Sequence, residues 1–283
     1  MKANIVKVVL CLVILALAGC GGANGPETRN SITVKGSDTM VILGQRWAEV
    51  YMNEYPDIQV QVTGGGSGTG IAALINGGTD ICQASRSMKE KEKEMVRNRH
   101  QQDVKETPVA LDGIAIYVHE DSPIQSLSIA QLKGIYTGQI TNWRDSGGED
   151  AKIIAYSREN NSGTYVFFKE HVMDKEDFAR DIQTLPGTAA VVNAVSKDIH
   201  SIGYGGIAYS SGVNAVAVKG DSGEACLPSL ETVRTGEYPL ARQLFFYTIG
   251  EPEGRIKAFI DWTLGAEGQK ICETVGYYPL RKS

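Results

Sequence analysis

The sequence predicts an α/β protein with a largely parallel sheet, and three observations carry that reading. Strand-like and helix-like patterns alternate along the chain, and their connections are tight and rich in glycine. Strands that alternate with helices close into parallel βαβ units. The third observation is bulk: 283 residues, 42% hydrophobic and 22% charged, suffice for two domains or one large one.

Taken in order, residues 31–35 (SITVK) alternate as a short strand, and 39–55 carry a helical apolar pattern through Val41, Leu43, Trp47, Val50 and Tyr51. Pro56 stops that helix, and 58–62 (IQVQV) is a period-two strand. Residues 64–70 (GGGSGTG) open a second helix over 71–76, followed by a short strand at 80–82. The charge-dense run 89–105 reads as a solvated helix face. Residues 109–118 (VALDGIAIYV) form a buried strand interrupted at Asp112-Gly113, a crossing point between domains. A second α/β unit follows, with a helix near 129–136, a strand at 152–156 and the segment 158–170. Residues 213–218 (VNAVAV) are the expected return crossing, 244–248 a strand and 256–273 a closing helix.

The first nineteen residues read as a secretory leader. Lys2 and Lys7 precede the apolar run 8–18, which is too short for a transmembrane span of ~20 residues. Leu17-Ala18-Gly19-Cys20 also resembles the bacterial lipobox, which makes Cys20 the lipidated first residue of the mature chain. The alternative is an ordinary leader with a chance cysteine. Residues 20–30 then form a flexible tether, so the protein is expected outside the cytoplasm, anchored by lipid at the periplasmic face or cell surface. Of five cysteines, Cys82, Cys226 and Cys272 remain for the folded part. That number allows at most one bridge, with Cys226–Cys272 an open possibility.

Charge excludes one class of partner. With 28 Lys+Arg against 33 Asp+Glu the net charge is −5, and loss of Lys2 and Lys7 makes it more acidic. A phosphate backbone needs a basic surface, so nucleic acid is not expected. The cysteine spacings fit no zinc motif, and the four histidines, His100, His119, His171 and His200, lie in no recognisable metal or catalytic setting. Gly64 to Gly70 lacks the Lys of a phosphate-binding GxxxxGK[ST] loop and does not match GxGxxG. No metal, cofactor or catalytic residue is expected.

Three segments share one design, a strand end followed by small hydroxyl residues and glycine and then a helix. They are Gly36-Ser37-Asp38-Thr39, Gly66-Ser67-Gly68-Thr69 and Asn161-Ser162-Gly163-Thr164. The first turn of a helix leaves N–H groups unpaired and carries partial positive charge, which suits an anion. Singly, each segment is explained as an N-cap. Together, with Arg86 and Arg158 beside them, they point to an anion site, because a guanidinium fork matches oxyanion geometry. Either arginine has a plainer explanation as a structural ion pair. Asp38 and Asp112 are the acids suited to balance an arginine or accept a proton from the ligand. Tyr204 is read as packing or hinge support.

These motifs are similar to those of the PstS-type phosphate-binding proteins of ABC importers, within the periplasmic-type solute-binding superfamily. The likeness covers the mature chain through GSDTM (36–40), GGGSGTGI (64–71), DxxxASR (80–86), LDGIAIYV (111–118), IYTGQITNW (135–143) and RxxxSGTY (158–165). The resemblance implies a two-domain, type II periplasmic-binding-protein-like α/β fold, with mixed sheets flanked by helices and a ligand cleft between domains. Its expected division is 31–112 plus 219–283 for one domain and 113–218 for the other. It implies phosphate contacts from Ser37, Asp38, Thr39, Ser67, Gly68, Thr69, Ser85, Arg86, Arg158, Ser162, Gly163 and Thr164. Some relatives carry an Asp after the serine matching Ser85, where it accepts the phosphate proton. Arg86 stands there in this chain, which makes Asp38 the first candidate acceptor and Asp112 the second. The implied partners are inorganic phosphate and an ABC permease, and the chain is expected to act as a monomer without enzymatic activity. Another oxyanion (sulfate, molybdate or tungstate), phosphoester hydrolysis, and a signalling or adhesion role without ligand are the competing readings.

Overall fold

The computed structural model describes residues 30–220 and 223–280, so the expected leader, the expected lipid attachment at Cys20 and the expected tether up to residue 29 lie outside the described residues. The first half opens as a βαβ succession: β1 (Ser31–Gly36), a 3-10 turn over Asp38–Met40, α1 (Val41–Glu54), β2 (Gln59–Thr63), α2 (Ser67–Ile75), β3 (Ile81–Ala84) and α3 (Glu90–His100). β1 pairs parallel with both β2 and β3, as the alternation predicts. Ile32 and Val34 of β1 meet Leu43, Trp47 and Tyr51 of α1, all essentially buried. The Trp47 indole N–H, which must find an acceptor when buried, donates to Gly268 O at 2.7 Å.

β4 (Val104–Val118) is one unbroken strand of fifteen residues, so Asp112-Gly113 does not interrupt it. What changes at that point is the partner. The stretch Val104–Gly113 pairs antiparallel with β10, while Ile114–Val118 pairs antiparallel with β8. The second half runs β5 (Ser126–Ser128), α4 (Ile129–Thr137), β6 (Ile154–Arg158), α5 (Gly163–His171), β7 (Gln183–Leu185), α6 (Gly187–Val195), β8 (Ser201–Gly206) and β9 (Asn214–Lys219). α7 (Leu230–Thr235), β10 (Ala241–Ile249), α8 (Gly254–Leu264) and α9 (Ala266–Val275) complete the chain.

The resulting sheet has the order β2-β1-β3-β10-β4-β8-β6-β7, with β9 and β5 attached beside β4. It is mixed rather than largely parallel, because β10 runs antiparallel to both β3 and β4. One core gathers around β1, α1, α8 and α9, and another around the second half of β4, α4, β8 and Phe168.

Two local expectations need correction, and the open question of a bridge is answered. β9 pairs with β4 and with β5 rather than crossing back. The return is made later, through α7 toward β10, with Val233, Tyr238 and Leu240 packed in the second core. The closing helix is two helices that meet at Gly265. Cys82, Cys226 and Cys272 are free thiols: Cys272 is buried and donates to Gly268 O at 3.6 Å, while Cys226 donates to Glu237 O at 3.8 Å.

Candidate functional site

The C-terminal ends of β1, β2, β3 and β6 converge, and after β1, β2 and β6 a helical turn begins within a few residues. Open α/β sheets bind ligands at such edges because the following helices aim unpaired N–H groups there. Ser37, Thr39, Ser67, Ser85, Ser162 and Thr164 all lie at this edge, each at most 2% exposed. Ser37 Oγ donates to Ser85 Oγ at 2.9 Å, and Ser67 Oγ accepts from the Ser85 N–H at 3.1 Å. From the other half, Thr164 Oγ1 stands 2.9 Å from Thr39 Oγ1. Gly163 presses its backbone against the serines. A Cβ at that position would lie 2.4 Å from Ser67 Oγ and 2.7 Å from Ser85 Oγ, which forbids any larger residue without movement.

Three of the expected residues already have protein partners. Ser162 Oγ accepts the N–H groups of Thr164 and Tyr165 at 3.2 and 3.3 Å, which makes it the N-cap of α5. The Gly68 N–H donates to Asn161 O at 2.8 Å, and Thr69 Oγ1 accepts from Asn161 Nδ2 at 3.2 Å.

The arginines divide by partner. Arg158 ends β6 and is 1% exposed. Its Nη1 donates to Thr188 Oγ1 at 2.7 Å and its Nη2 to Asp38 Oδ2 at 3.0 Å, while Nε is buried without a protein partner. Burial holds this guanidinium below its ordinary pKa, with the Asp38 charge opposing that shift. Arg86 is also inward, but its fork grips Glu92 of α3 at 2.8 and 2.7 Å. Residues 89–105 are therefore not wholly a solvated face.

Burial alone would raise the Glu92 carboxyl, yet the Arg86 fork and the Lys89 N–H hold it below the usual range. With the folded pKa below the unfolded one, the pair stabilises above about pH 4, and that contribution disappears as pH falls through the folded value. Glu92→Gln is expected to cost ~2 kcal/mol at neutral pH and little in acid. Urea titrations at both pH values check this, and equal losses would place the effect outside the ion pair.

Asp38 and Asp112 occupy different surroundings. Asp38 lies at the rim, with its Oδ1 accepting the Gly65 N–H at 2.8 Å and its Oδ2 facing Arg158. Asp112 is fully buried, and its Oδ2 takes both Nε and Nη2 of Arg242 at 2.9 and 2.7 Å. Its Oδ1 accepts the Ile207 N–H at 3.2 Å. Burial pushes the Asp112 carboxyl upward, although Arg242 pulls it down.

Arg242 is the residue that sequence reasoning missed. It stands directly opposite Asp112 in the β10–β4 ladder. Its Nη1 donates to Ser85 O and its Nη2 to Thr164 Oγ1, both at 3.0 Å. Because a guanidinium only donates, Thr164 must accept, and its own hydroxyl hydrogen is left to point elsewhere. The available signal was a lone cation just before the apolar run 244–247, two residues ahead of the expected strand start.

The remaining candidates are structural. Tyr204 stacks on Phe168 at 4.0 Å and shares a 2.8 Å hydrogen bond with Ser157 Oγ. His171 stacks on Phe167, and His100 Nε2 bonds to Ile75 O.

The chain is similar to several known proteins. Residues 21–267 match the family model of the PBP superfamily domain. The phosphate-binding protein PstS of Pseudomonas aeruginosa is 32% identical over 97% of this chain and 95% of its own length. That of Bacillus subtilis is 32% identical over 99% and 95%. Among solved structures, a candidate phosphate ABC transporter substrate-binding protein from Clostridium perfringens, with bound phosphate, superposes with a TM-score of 0.81 at 32% identity, covering 89% of this chain and all of that one. An ABC-type phosphate transport receptor from Vibrio cholerae gives 0.71 at 28% identity, over 87% of this chain and 99% of that one.

Proposed function

The chain belongs to the PBP superfamily, in its branch of PstS phosphate-binding proteins, and from that premise we propose that it captures inorganic phosphate and delivers it to an ABC-type import permease. It is an extracytoplasmic binding protein of the type II fold, not an enzyme. No helix among the described residues is long and apolar enough to cross a membrane. Attachment through lipid on Cys20 and a monomeric state belong to the same reading. So does a division into two domains: the change of partner along β4 supports ending the first stretch at 112, whereas Val233, Tyr238 and Leu240, expected in the domain of 31–112 plus 219–283, pack with 113–218 and move the second boundary toward β10.

One observation carries the assignment: six buried hydroxyl residues meet the buried Arg158 and Arg242 at strand ends, where hydroxyl and N–H groups can donate to an oxyanion. We assign ligand contact to the hydroxyls of Ser37, Thr39, Ser67, Ser85, Ser162 and Thr164, the Gly163 backbone and Arg158. Asp38 is the acceptor of the phosphate proton. Asp112 suits that role less well, since it is fully buried and both Nε and Nη2 of Arg242 hold one of its oxygens, whereas Asp38 lies at the rim. Arg86 supports the Ser85 loop from behind, through Glu92, and Gly68 and Thr69 bear on closure.

Phosphate near neutral pH retains a proton and sulfate does not, so a carboxylate acceptor discriminates between them. Calorimetry on protein stripped of anion is expected to show one tight phosphate site and weak competition by sulfate. Heat with molybdate or sulfate but none with phosphate would replace this reading by another oxyanion. In Asp38→Asn the phosphate preference over sulfate is expected to fall at least tenfold, about 1.4 kcal/mol. An unaltered ratio would remove Asp38 from the acceptor role.

A further inference from the structure

We propose that Asn161 is a latch that holds the cleft shut, acting through the glycine-rich start of α2 rather than through the ligand. The proposal rests on the anion-binding reading above, and it begins from a deficiency in α2. The N-cap of that helix is Gly66, which has no side chain to satisfy the first-turn N–H groups. The missing acceptor comes from 93 or more residues away: Asn161 O takes the Gly68 N–H at 2.8 Å. The side chain completes the joint, with Nδ2 donating to Gly65 O at 3.0 Å and to Thr69 Oγ1 at 3.2 Å. One asparagine thus makes three hydrogen bonds to the facing loop.

The glycines there are shaped for this contact. Gly66 has φ +89°, and a Cβ on it would lie 2.8 Å from Asn161 O, with the corresponding gap at Gly68 only 3.1 Å. Both glycines therefore admit the Asn161 backbone. That function accounts for Gly68 and Thr69 without placing either against the anion, and it explains why their polar groups point at Asn161. Asn161 follows Arg158 by three residues and immediately precedes the α5 cap Ser162, so the latch sits on the same short loop as the ligand-binding groups. When the halves part, Gly68 loses its acceptor and Asn161 loses both amide bonds together.

A latch changes how long the ligand stays rather than how fast it arrives, because its bonds form after encounter. Asn161→Ala removes the two side-chain bonds and spares the backbone one. Stopped-flow measurements on the full chain are expected to show phosphate release about tenfold faster, equivalent to ~1.4 kcal/mol, with association unchanged. Thr69→Val is expected to show a smaller effect in the same direction, and the double variant less than the sum of both. A release rate equal to that of the parent protein would overturn the latch. So would a loss confined to association, or full additivity with Thr69→Val. If the parent protein takes sulfate or molybdate in place of phosphate, the functional reading fails by itself, and the latch is decided with that anion by the same comparison.

Discussion

Replacing Arg158 by Ala is expected to weaken phosphate binding by two to three orders of magnitude, about 3–4 kcal/mol, while leaving the fold intact. The guanidinium is buried, and the acid it pairs with, Asp38, sits at the rim with a second bond to Gly65 N–H. Removing the cation leaves Asp38 able to rehydrate, so the fold survives. The ligand fares worse, because it loses a charge-assisted donor and faces a carboxylate that is no longer balanced. Arg158→Lys should rescue little, since an ammonium cannot present a fork to Thr188, Asp38 and an anion together. Calorimetry beside a thermal melt separates the two outcomes. Unchanged affinity in Arg158→Ala would make Arg158 a structural ion-pair residue and remove the main support for the anion site.

Arg242→Met is expected to strike the fold itself. Asp112 has no exposed surface, and Arg242 supplies two of its three hydrogen bonds. Truncating one partner of a buried pair leaves an uncompensated charge and costs roughly 3–5 kcal/mol, or a drop in Tm on the order of 10 °C for a chain of this size. The deficit should depend on pH. Without Arg242 the folded pKa of Asp112 rises further above the unfolded one, so the penalty is small in acid and grows as pH rises through the interval between the two values. Adding Asp112→Leu should recover much of the loss, because a matched apolar pair carries no stranded charge. A Tm within 2 °C of the parent in Arg242→Met alone would show that water or another cation already satisfies Asp112. Phosphate affinity should fall as well, since Thr164 and the Ser85 carbonyl lose their common donor.

What could be read in advance from the residues was local. Ser162 and the glycine-rich turns announce helix starts through capping chemistry confined to four or five neighbours, and those loops do sit together. Arg158 was legible because it lies on the same short stretch. Arg242 was not, because its partner Asp112 is 130 positions away and only strand pairing brings them opposite. The mixed character of the sheet was hidden for the same reason. A strand's direction in a sheet is set by where the chain returns, and nothing inside 241–249 specifies that. Arg86 is the converse case. Its residue type matched an anion ligand, yet Glu92, six positions on, takes its fork.

The continuous strand β4 has a mechanical consequence. Its neighbours change between Gly113 and Ile114, so each half of the protein grips a different length of one stiff rod. Rotation of one half against the other must then pass through a short stretch beside Asp112, which lies at the floor of the site. Groups near that fulcrum, Asp112 and Arg242 among them, travel least. Groups on facing loops of the two halves, such as Asn161 and Gly68, separate when the halves turn. Asp112 and Arg242 stay paired because their strands are bonded to each other, whereas Arg158 and Asp38 come from different halves, so the anion acquires that part of its charge arrangement only on closure.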